Sequence, residues 1–477
     1  MNQVQRIVKN IGVTGLGQVI TAFMGFILLI YLARFLGEAD FGKYNFALSL
    51  TTLLATFTDL GVNQLLVREI ARERDQSDRY VNNAVLLKVP LSFLTMGVTV
   101  FISWIMGLEG DIKVIVYLFG AYNILLTISG TYLSLFQAWE RMEYVTLFQT
   151  VERLFIVGLG LAVLFMGYGV IEVALVYLIA GFIDITFSAL LSFRKFIRPS
   201  FRIEPGLQRD LLVMGLPFGL NSLFAVFFFK IDSVILGLMK GDVAVGIYNA
   251  AYNPLLSLSF IAAGMVSAAI YPVMSRYFRG KSESLHDFTV VSSRYLVIIG
   301  LPIAAGCSVL ADRFIALFYG GGYAAAVIPF QILAIFIPIR LVSTITGTLL
   351  SSIDRQGYRM LAVGLSAVFN IILNIILIPI YSYIGASVAT VASEFLLYLL
   401  FLFYIGRHYR ELKMHGSFIK PVAAALIMAV VVYAIRALNL ALIIGVASVI
   451  YIAVLILLGT FNEDDMMLFR KLVGMDS

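Results

Sequence analysis

The chain has 477 residues, 61% hydrophobic and 13% charged, with a formal net charge of +6. Soluble domains are about 45–50% apolar and about 25% charged, so an excess spread over the whole length excludes a single soluble globular domain and points to a polytopic membrane protein. One cysteine, Cys307, excludes an internal disulfide and a CxxC metal site, and the three histidines, His286, His408 and His415, sit in polar connections, which excludes a membrane-embedded histidine relay or metal cluster.

In chain order, "MNQVQRIVKN" leads into an apolar run longer than a signal-peptide core and lacking a cleavage site, so no cleavable leader is expected. Crossing the hydrocarbon as a helix takes about 20 apolar residues. Runs of that kind lie at 11–36, 42–66, 82–106, 113–137, 144–166, 170–193, 210–238, 243–273, 288–311, 324–350, 358–379, 383–406, 418–436 and 440–459. They are too long, and their spacers too short, for barrel strands. The expected fold is an all-α polytopic membrane protein with about 14 transmembrane helices.

With a cytoplasmic N-terminus, the connections at 67–81, 138–143, 194–209, 274–287, 351–357 and 407–417 and the C-terminal tail lie inside. These segments and their flanks hold roughly 22 Lys and Arg, against roughly 5 outside. The basic balance therefore reads as topology, with both termini in the cytoplasm of a multi-pass cell-membrane protein, and not as nucleic-acid binding. Lys and Arg in "SFRKFIRPSFRIEPGLQR" also suit anionic lipid headgroups. The outside connections are too short to hold a catalytic domain.

The chain also repeats itself. "FLGEADFGKYNFALS" from Phe35 matches "LMKGDVAVGIYNAAYN" from Leu238, pairing Gly42, Tyr44 and Asn45 with Gly246, Tyr248 and Asn249. Pro90 pairs with Pro302, "WERMEYVTLF" from Trp139 with "IDRQGYRMLA" from Ile353, and Gly169 with Gly385. The matches are colinear, so spans one to six and seven to twelve read as copies. An even number of crossings gives both copies the same orientation, as in transporters with parallel repeats. The expected organisation is an N-terminal lobe at 1–200, a C-terminal lobe at 201–410, and spans 13 and 14 with the tail at 411–477. Two such lobes are expected to enclose a central cavity.

An ionisable side chain at mid-bilayer costs about 2.5–3.5 kcal/mol on insertion scales, so it faces the bundle interior. Asp59, Glu152, Arg153, Asp184, Lys230, Asp232, Arg294, Arg340 and Glu394 are placed this way. Lys88 and Lys420 near inner ends and Arg34 near an outer end read as snorkelling, Arg294 as snorkelling or function, and Asp59 as a local cap or pair. Arg153, Asp184 and Arg340, like Glu152 and Glu394, either line a polar cavity or form buried pairs. In "LFAVFFFKIDSVILGLMKG", Lys230 and Asp232 are two residues apart and point about 200° from one another on a helix. They cannot pair with each other, so one is expected to face the cavity and the other to pin the seventh span to a neighbour. Asn370 and Asn374 share a helix face, as interhelical hydrogen-bond partners or as sugar contacts, and Asn221 and Gln18 carry the same two readings. Prolines 217, 254, 302 and 338 mark candidate kinks.

"YLARFLGEADFGKYNFALSLTTLLATFTDLGVNQLLVREIARE", "KIDSVILGLMKGDVAVGIYNAAYNPL" and "NIILNIILIPIYSYIGASVATVASE" resemble signatures of the polysaccharide (O-antigen type) flippases, within the multidrug/oligosaccharidyl-lipid/polysaccharide exporter superfamily. In the third stretch "YSY" replaces a glycine often found shortly before Gly385. The resemblance implies transport of polyprenyl-phosphate- or pyrophosphate-linked oligosaccharides from the inner to the outer leaflet, with no enzymatic step and no cofactor beyond Na+ or H+ as a coupling ion. Arg153, Lys230, Arg294 and Arg340 then supply positive potential for the phosphate, Asn221, Asn370 and Asn374 contact sugar, and Asp184, Asp232 and Glu394 bind the coupling ion or pair with the cations. Implied partners are that substrate, membrane lipids and glycan-assembly proteins. Rival readings are a multidrug exporter, set against by a first span with no Asp or Glu between Ile11 and Arg34, a lipid-linked peptidoglycan-precursor flippase, and a membrane polysaccharide polymerase or ligase, which calls for a long outer loop.

Overall fold

The computed structural model describes residues 3–280, 282–409, 412 and 418–460, and every regular element among them is helical. In a hydrocarbon environment the backbone must satisfy its own hydrogen bonds, so long Leu-, Ile-, Val- and Phe-rich runs fold as helices. In order these are α1 (Gln3–Asp59), α2 (Val62–Arg72), α3 (Ser77–Ile105), α4 (Gly110–Ala138), α5 (Met142–Phe165), α6 (Val170–Lys195), α7 (Pro205–Lys240) and α8 (Asp242–Gly280), then α9 (Ser282–Val309), α10 (Ala311–Tyr319), α11 (Val327–Ala334), α12 (Phe336–Ser352), α13 (Gln356–His408), α14 (Ile419–Ala434) and α15 (Leu440–Leu457). Ten segments among the described residues are long and apolar enough to cross a membrane. Two of them, in α1 and α13, each hold a pair of predicted spans, and α8 and α14 account for the remaining two. The expected tail after residue 460 and most of the 407–417 connection lie outside the described residues.

The helix breaks follow local chemistry. Gly37 (φ 73°, ψ 178°) separates the first two spans within α1. The second span, predicted to reach residue 66, stops at Asp59, because Leu60 and Gly61 both take positive φ. α2 then turns its apolar face inward and buries Val62, Leu65, Leu66 and Ile70. The tenth span is likewise divided, between α11 and α12, and the connection before it contains the short helix α10.

The chain divides into two compact units. The first comprises Met1–Ser257, Phe318–Tyr323 and Met360–Ala389, and the second Leu258–Leu317, Ala324–Arg359 and Thr390–Ser477. A core cluster of the first unit gathers Leu65, Ile70, Val81, Ala84, Leu135 and Leu211 from α2, α3, α4 and α7. In the second, Ala424, Met428 and Val432 of α14 and Tyr451 and Leu455 of α15 pack with Leu310 beside α9.

The internal repeat has a structural counterpart. Gly37 and Gly241, 204 positions apart, share one backbone conformation, with Gly241 at φ 79°, ψ −178°. A Cβ on Gly42 would fall 1.8 Å from the Asp242 carbonyl oxygen, and one on Gly246 would fall 2.0 Å from that of Glu38. Each copy thus presses its glycine on the other copy's acidic residue, four positions upstream of the partner glycine. The second matched pair behaves alike. Glu140 and Asp354 both sit at φ 58°, and Arg141 N donates to Phe136 O as Arg355 N does to Leu350 O, each at 2.8 Å.

Ser382 divides α13 at φ 51°, ψ −132°, a conformation that costs a residue with a Cβ on the order of 1–3 kcal/mol. This is the "YSY" position. Ser382→Gly is expected to raise stability by about 1 kcal/mol, after the entropy that glycine adds to the unfolded chain, read as a higher midpoint of unfolding in detergent. A lowered midpoint counts against strain at this turn.

Candidate functional site

In the first unit α1 packs against α4, α5 and α6. Small residues permit the approach, since a Cβ on Gly160 of α5 would already lie 3.2 Å from Leu28 Cδ1. Between α1, α5, α6 and the first-unit part of α8 is a cavity of about 200 Å³ lined by Thr21, Gly25, Tyr44, Arg153, Tyr177, Ser257 and aliphatic residues of α1. That is room for several waters or one phosphate-sized group.

Arg153 is half-buried and makes no hydrogen bond or salt bridge to any described residue. The adjacent carboxylate is turned elsewhere, since Tyr122 OH donates to Glu152 Oε1 at 2.6 Å. Tyr44 and Tyr177 join hydroxyls at 2.7 Å, and Tyr122 packs edge-on to Tyr177 at 5.2 Å. A Cβ on Gly25 would lie 3.6 Å from Arg153 Nη1, so this glycine leaves room beside the guanidinium. A guanidinium has five donors in a rigid fork that matches carboxylate and phosphate, and here they face a cavity walled by hydroxyls. The arrangement can bind an anion, with oxygen-rich groups beside it.

The other predicted residues divide into groups. Asp232 is fully buried and accepts from Tyr248 OH at 2.9 Å and from Asn374 Nδ2. Asn374 Nδ2 also reaches Asn370 Oδ1 at 3.0 Å, so α7, α8 and α13 meet at Asp232, Asn370 and Asn374. Lys230, half-buried on α7, has no hydrogen-bond or ionic partner among the described residues. Asp232 thus ties α7 to α8 and α13, and Lys230 shares none of these ties among the described residues. Asp184 is buried and accepts from Ser129, whose oxygen is 3.1 Å from that of Ser188. Asn221 and Gln18 are exposed.

In the second unit Arg340 Nη1 lies 3.5 Å from the buried Glu394 Oε2, and Ser343 donates to the other carboxylate oxygen. The Arg340 guanidinium also stands 5.6 Å over Phe260, and Arg294 stands 5.4 Å over Tyr295. Arg340 and Glu394 therefore form the buried pair that was one of the two sequence readings.

Lys88 corrects the snorkelling reading. Its side chain is 0% exposed and its Nζ lies within hydrogen-bond distance of four oxygens, Asp59 Oδ1 (2.8 Å), Asn63 Oδ1 (2.7 Å), Thr127 O (3.1 Å) and Thr131 Oγ1 (3.0 Å), which share its three N–H donors. Asp59 also caps α2 by accepting from Asn63 N at 3.2 Å. Lys420 and Arg34 are exposed and donate to the Gly459 and Phe318 carbonyls, in keeping with snorkelling.

A family model described as "Polysaccharide biosynthesis protein" matches residues 7–278. The chain belongs to this family. Among its relatives, the probable low-salt glycan biosynthesis flippase Agl15 of Haloferax volcanii is 26% identical over 378 residues, 78% of each chain. The capsular polysaccharide biosynthesis protein CapF of Staphylococcus aureus is 21% identical, covering 84% of this chain and 99% of CapF. Among solved structures, the lipid II flippase MurJ in an inward closed conformation aligns with TM-score 0.77 at 13% identity, over 98% of this chain and 100% of MurJ. An inward-facing MATE-family multidrug transporter of the MOP superfamily aligns with TM-score 0.69 at 16% identity, over 81% and 94%. This polysaccharide biosynthesis protein thus has the fold of the exporter superfamily.

Asp59 is the local cap and pair expected of it, whereas Tyr122 and Tyr177 of the cavity wall and Asn63, Thr127 and Thr131 around Lys88 are not singled out by the sequence. The tyrosines belong to ordinary apolar runs, and only packing shows which of them turn toward Arg153. A signal for Lys88 did exist in "TDLGVN", where an aspartate and an asparagine four apart flank a glycine break and can converge on one cation.

Proposed function

We propose that this protein is a flippase that moves a polyprenyl-phosphate- or pyrophosphate-linked oligosaccharide from the inner to the outer leaflet by alternating access. The observation that carries this reading is Arg153, a cation kept at a cavity in a membrane-spanning helix with its donors unspent on described residues. Such a charge is costly unless it serves a ligand, and its complement is an anionic headgroup, a charge-assisted and bidentate interaction. The hydroxyls of Thr21, Tyr44, Tyr177 and Ser257 suit sugar and phosphate oxygens, and Lys230 on the same unit also lacks a hydrogen-bond or ionic partner among the described residues. The kinship with Agl15 and CapF supports a glycan cargo. The sequence repeats at 1–200 and 201–410, with 411–477 appended, are the bodies that rock, and both termini are cytoplasmic. No covalent step is needed.

Na+ or H+ is the proposed coupling ion, held at Asp232, Asn370 and Asn374. The residues fit this role. A carboxylate and carboxamide oxygens are hard ligands, and the buried Asn374 Oδ1 lacks a hydrogen-bond partner among the described residues. The test is reconstitution in vesicles with a fluorescent polyprenyl-pyrophosphate oligosaccharide and, separately, a cationic dye. Leaflet exchange of the glycan lipid but not export of the dye is expected, accelerated by a Na+ or pH gradient. Asp232→Asn is expected to remove the gradient dependence. Dye export without glycan-lipid exchange sinks the reading in favour of a multidrug exporter, and gradient dependence surviving in Asp232→Asn moves the coupling site elsewhere.

A further inference from the structure

The connector between α6 and α7, Phe196–Glu204, contains no helix or strand, yet its backbone is tied down by one face of α3. Asn82 Nδ2 donates to Arg198 O at 2.8 Å, and Arg198 N donates to Asp78 Oδ1 at 3.1 Å. Glu204 N donates to Asn83 Oδ1 at 2.8 Å, and Arg79 pairs with the Glu204 carboxylate at 2.8 Å. At the upstream end Phe196 is wedged among Phe136, Trp139 and Tyr144, with ring centroids 5.3, 5.5 and 6.0 Å away. Ile197 is buried in the α2–α3–α4 core.

What this fixed backbone presents outward is unusual for a solvated loop. Arg198 and Arg202 on it are exposed, as are Arg194 and Lys195 at the end of α6 and Arg209 in the first turns of α7; of the nearby acids Glu204 is occupied by Arg79 and Asp210 is exposed. Between the arginines stand Phe201, 88% exposed, and Ile203, 59% exposed. Water alone would favour the cations and disfavour the apolar pair. A bilayer interface takes both, with apolar side chains in the headgroup–acyl boundary and cations on anionic headgroups. Both ends of the connector run directly into membrane-spanning helices, which sets it at the height where α6 and α7 leave the hydrocarbon.

We propose that this connector is a fixed docking strip for the headgroups of anionic phospholipids in the leaflet on its own side. The ties to α3 hold the strip in one shape, so the basic side chains bind lipid without first ordering a loop. The inference is independent of the cargo taken by the cavity.

The chain's only two tryptophans supply the test. Trp139 packs on Phe196 at the head of the strip, and Trp104 is 73% exposed elsewhere. In the full-length Trp104→Phe protein, Trp139 reports lipid at the strip. In bilayers of phosphatidylcholine containing a minor share of lipid brominated near the headgroup end of its chains, brominated phosphatidylglycerol is expected to quench Trp139 at least about twofold more than brominated phosphatidylcholine. Adding Arg194→Gln, Arg198→Gln and Arg202→Gln is expected to bring the two to parity, with the emission maximum unchanged. Arg198→Glu with Arg202→Glu is expected to invert the preference. Equal quenching of the starting protein by both lipids overturns the proposal, as does a preference for phosphatidylglycerol that survives charge reversal.

Discussion

Arg153→Ala is expected to slow exchange of an anionic lipid-linked oligosaccharide by about 10- to 100-fold in reconstituted vesicles, with yield and thermal midpoint close to the unsubstituted protein. A hydrogen bond to a charged group contributes about 1.5–3 kcal/mol, and 1.4 kcal/mol is tenfold in an equilibrium constant. The stability cost is small because the guanidinium has no described partner to abandon. Arg153→Lys keeps the charge but not the fork, so it should fall between the two. Gly25→Val tests the same place from the opposite wall, since its branches would crowd Nη1 from a Cβ position only 3.6 Å away. It should raise the substrate concentration needed for half-maximal exchange more than it lowers the limiting rate. Wild-type exchange in Arg153→Ala would remove the guanidinium from headgroup recognition.

Lys88→Met is expected to behave in the opposite way, losing stability first. Breaking a buried pair by removing one partner costs about 3–5 kcal/mol, because the other charge is left uncompensated. Here the Asp59 carboxylate loses its counter-charge, and Asn63 Oδ1 and the Thr127 carbonyl lose their charged donor while keeping weaker neutral ones. The loss should spread to the α1–α2 elbow, which rests on α7 with no space between, since a Cβ on Gly61 would fall 2.2 Å from the Gly215 carbonyl oxygen. Denaturant unfolding in micelles measures the cost. The double variant Lys88→Met/Asp59→Leu should recover a substantial part of it, because replacing both members of a buried pair by apolar groups is often near neutral. A single variant as stable as the starting protein, or a double variant with no recovery, would show that the Lys88–Asp59 pair is not what holds the elbow.

Membrane class, helical fold and the internal repeat were legible in the residues one after another, because each rests on a local property. Run length and apolar content decide whether a segment crosses the bilayer, and the Gly-x-Tyr-Asn match at Gly42 and Gly246 is read directly from residue order. The polar cluster was legible only as a roster of candidates. Lys230 and Asp232 could be excluded as partners from helix geometry alone, yet that Asp232 is the one held depended on Tyr248 of the next helix and on Asn374, 142 positions away. Arg340 and Arg153 looked equivalent by depth; Glu394 engages the first, whereas Glu152, beside the second, is bound by Tyr122.

Lys88 marks the same boundary from the other side. Its position near a span end satisfied the conditions for snorkelling, and nothing within α3 contradicts it. The break at Leu60–Gly61 brings Asp59 and Asn63 over Lys88, and α4 closes the shell with Thr127 and Thr131. Sequence by itself determined that the chain is an all-helical membrane protein and which charged residues lie inside its long apolar runs. Only the tertiary structure decided which charges are neutralised and which remain available to a ligand. Partner choice depends on which helix faces lie within about 4 Å of each other, and that distance is set by the packing of the whole unit.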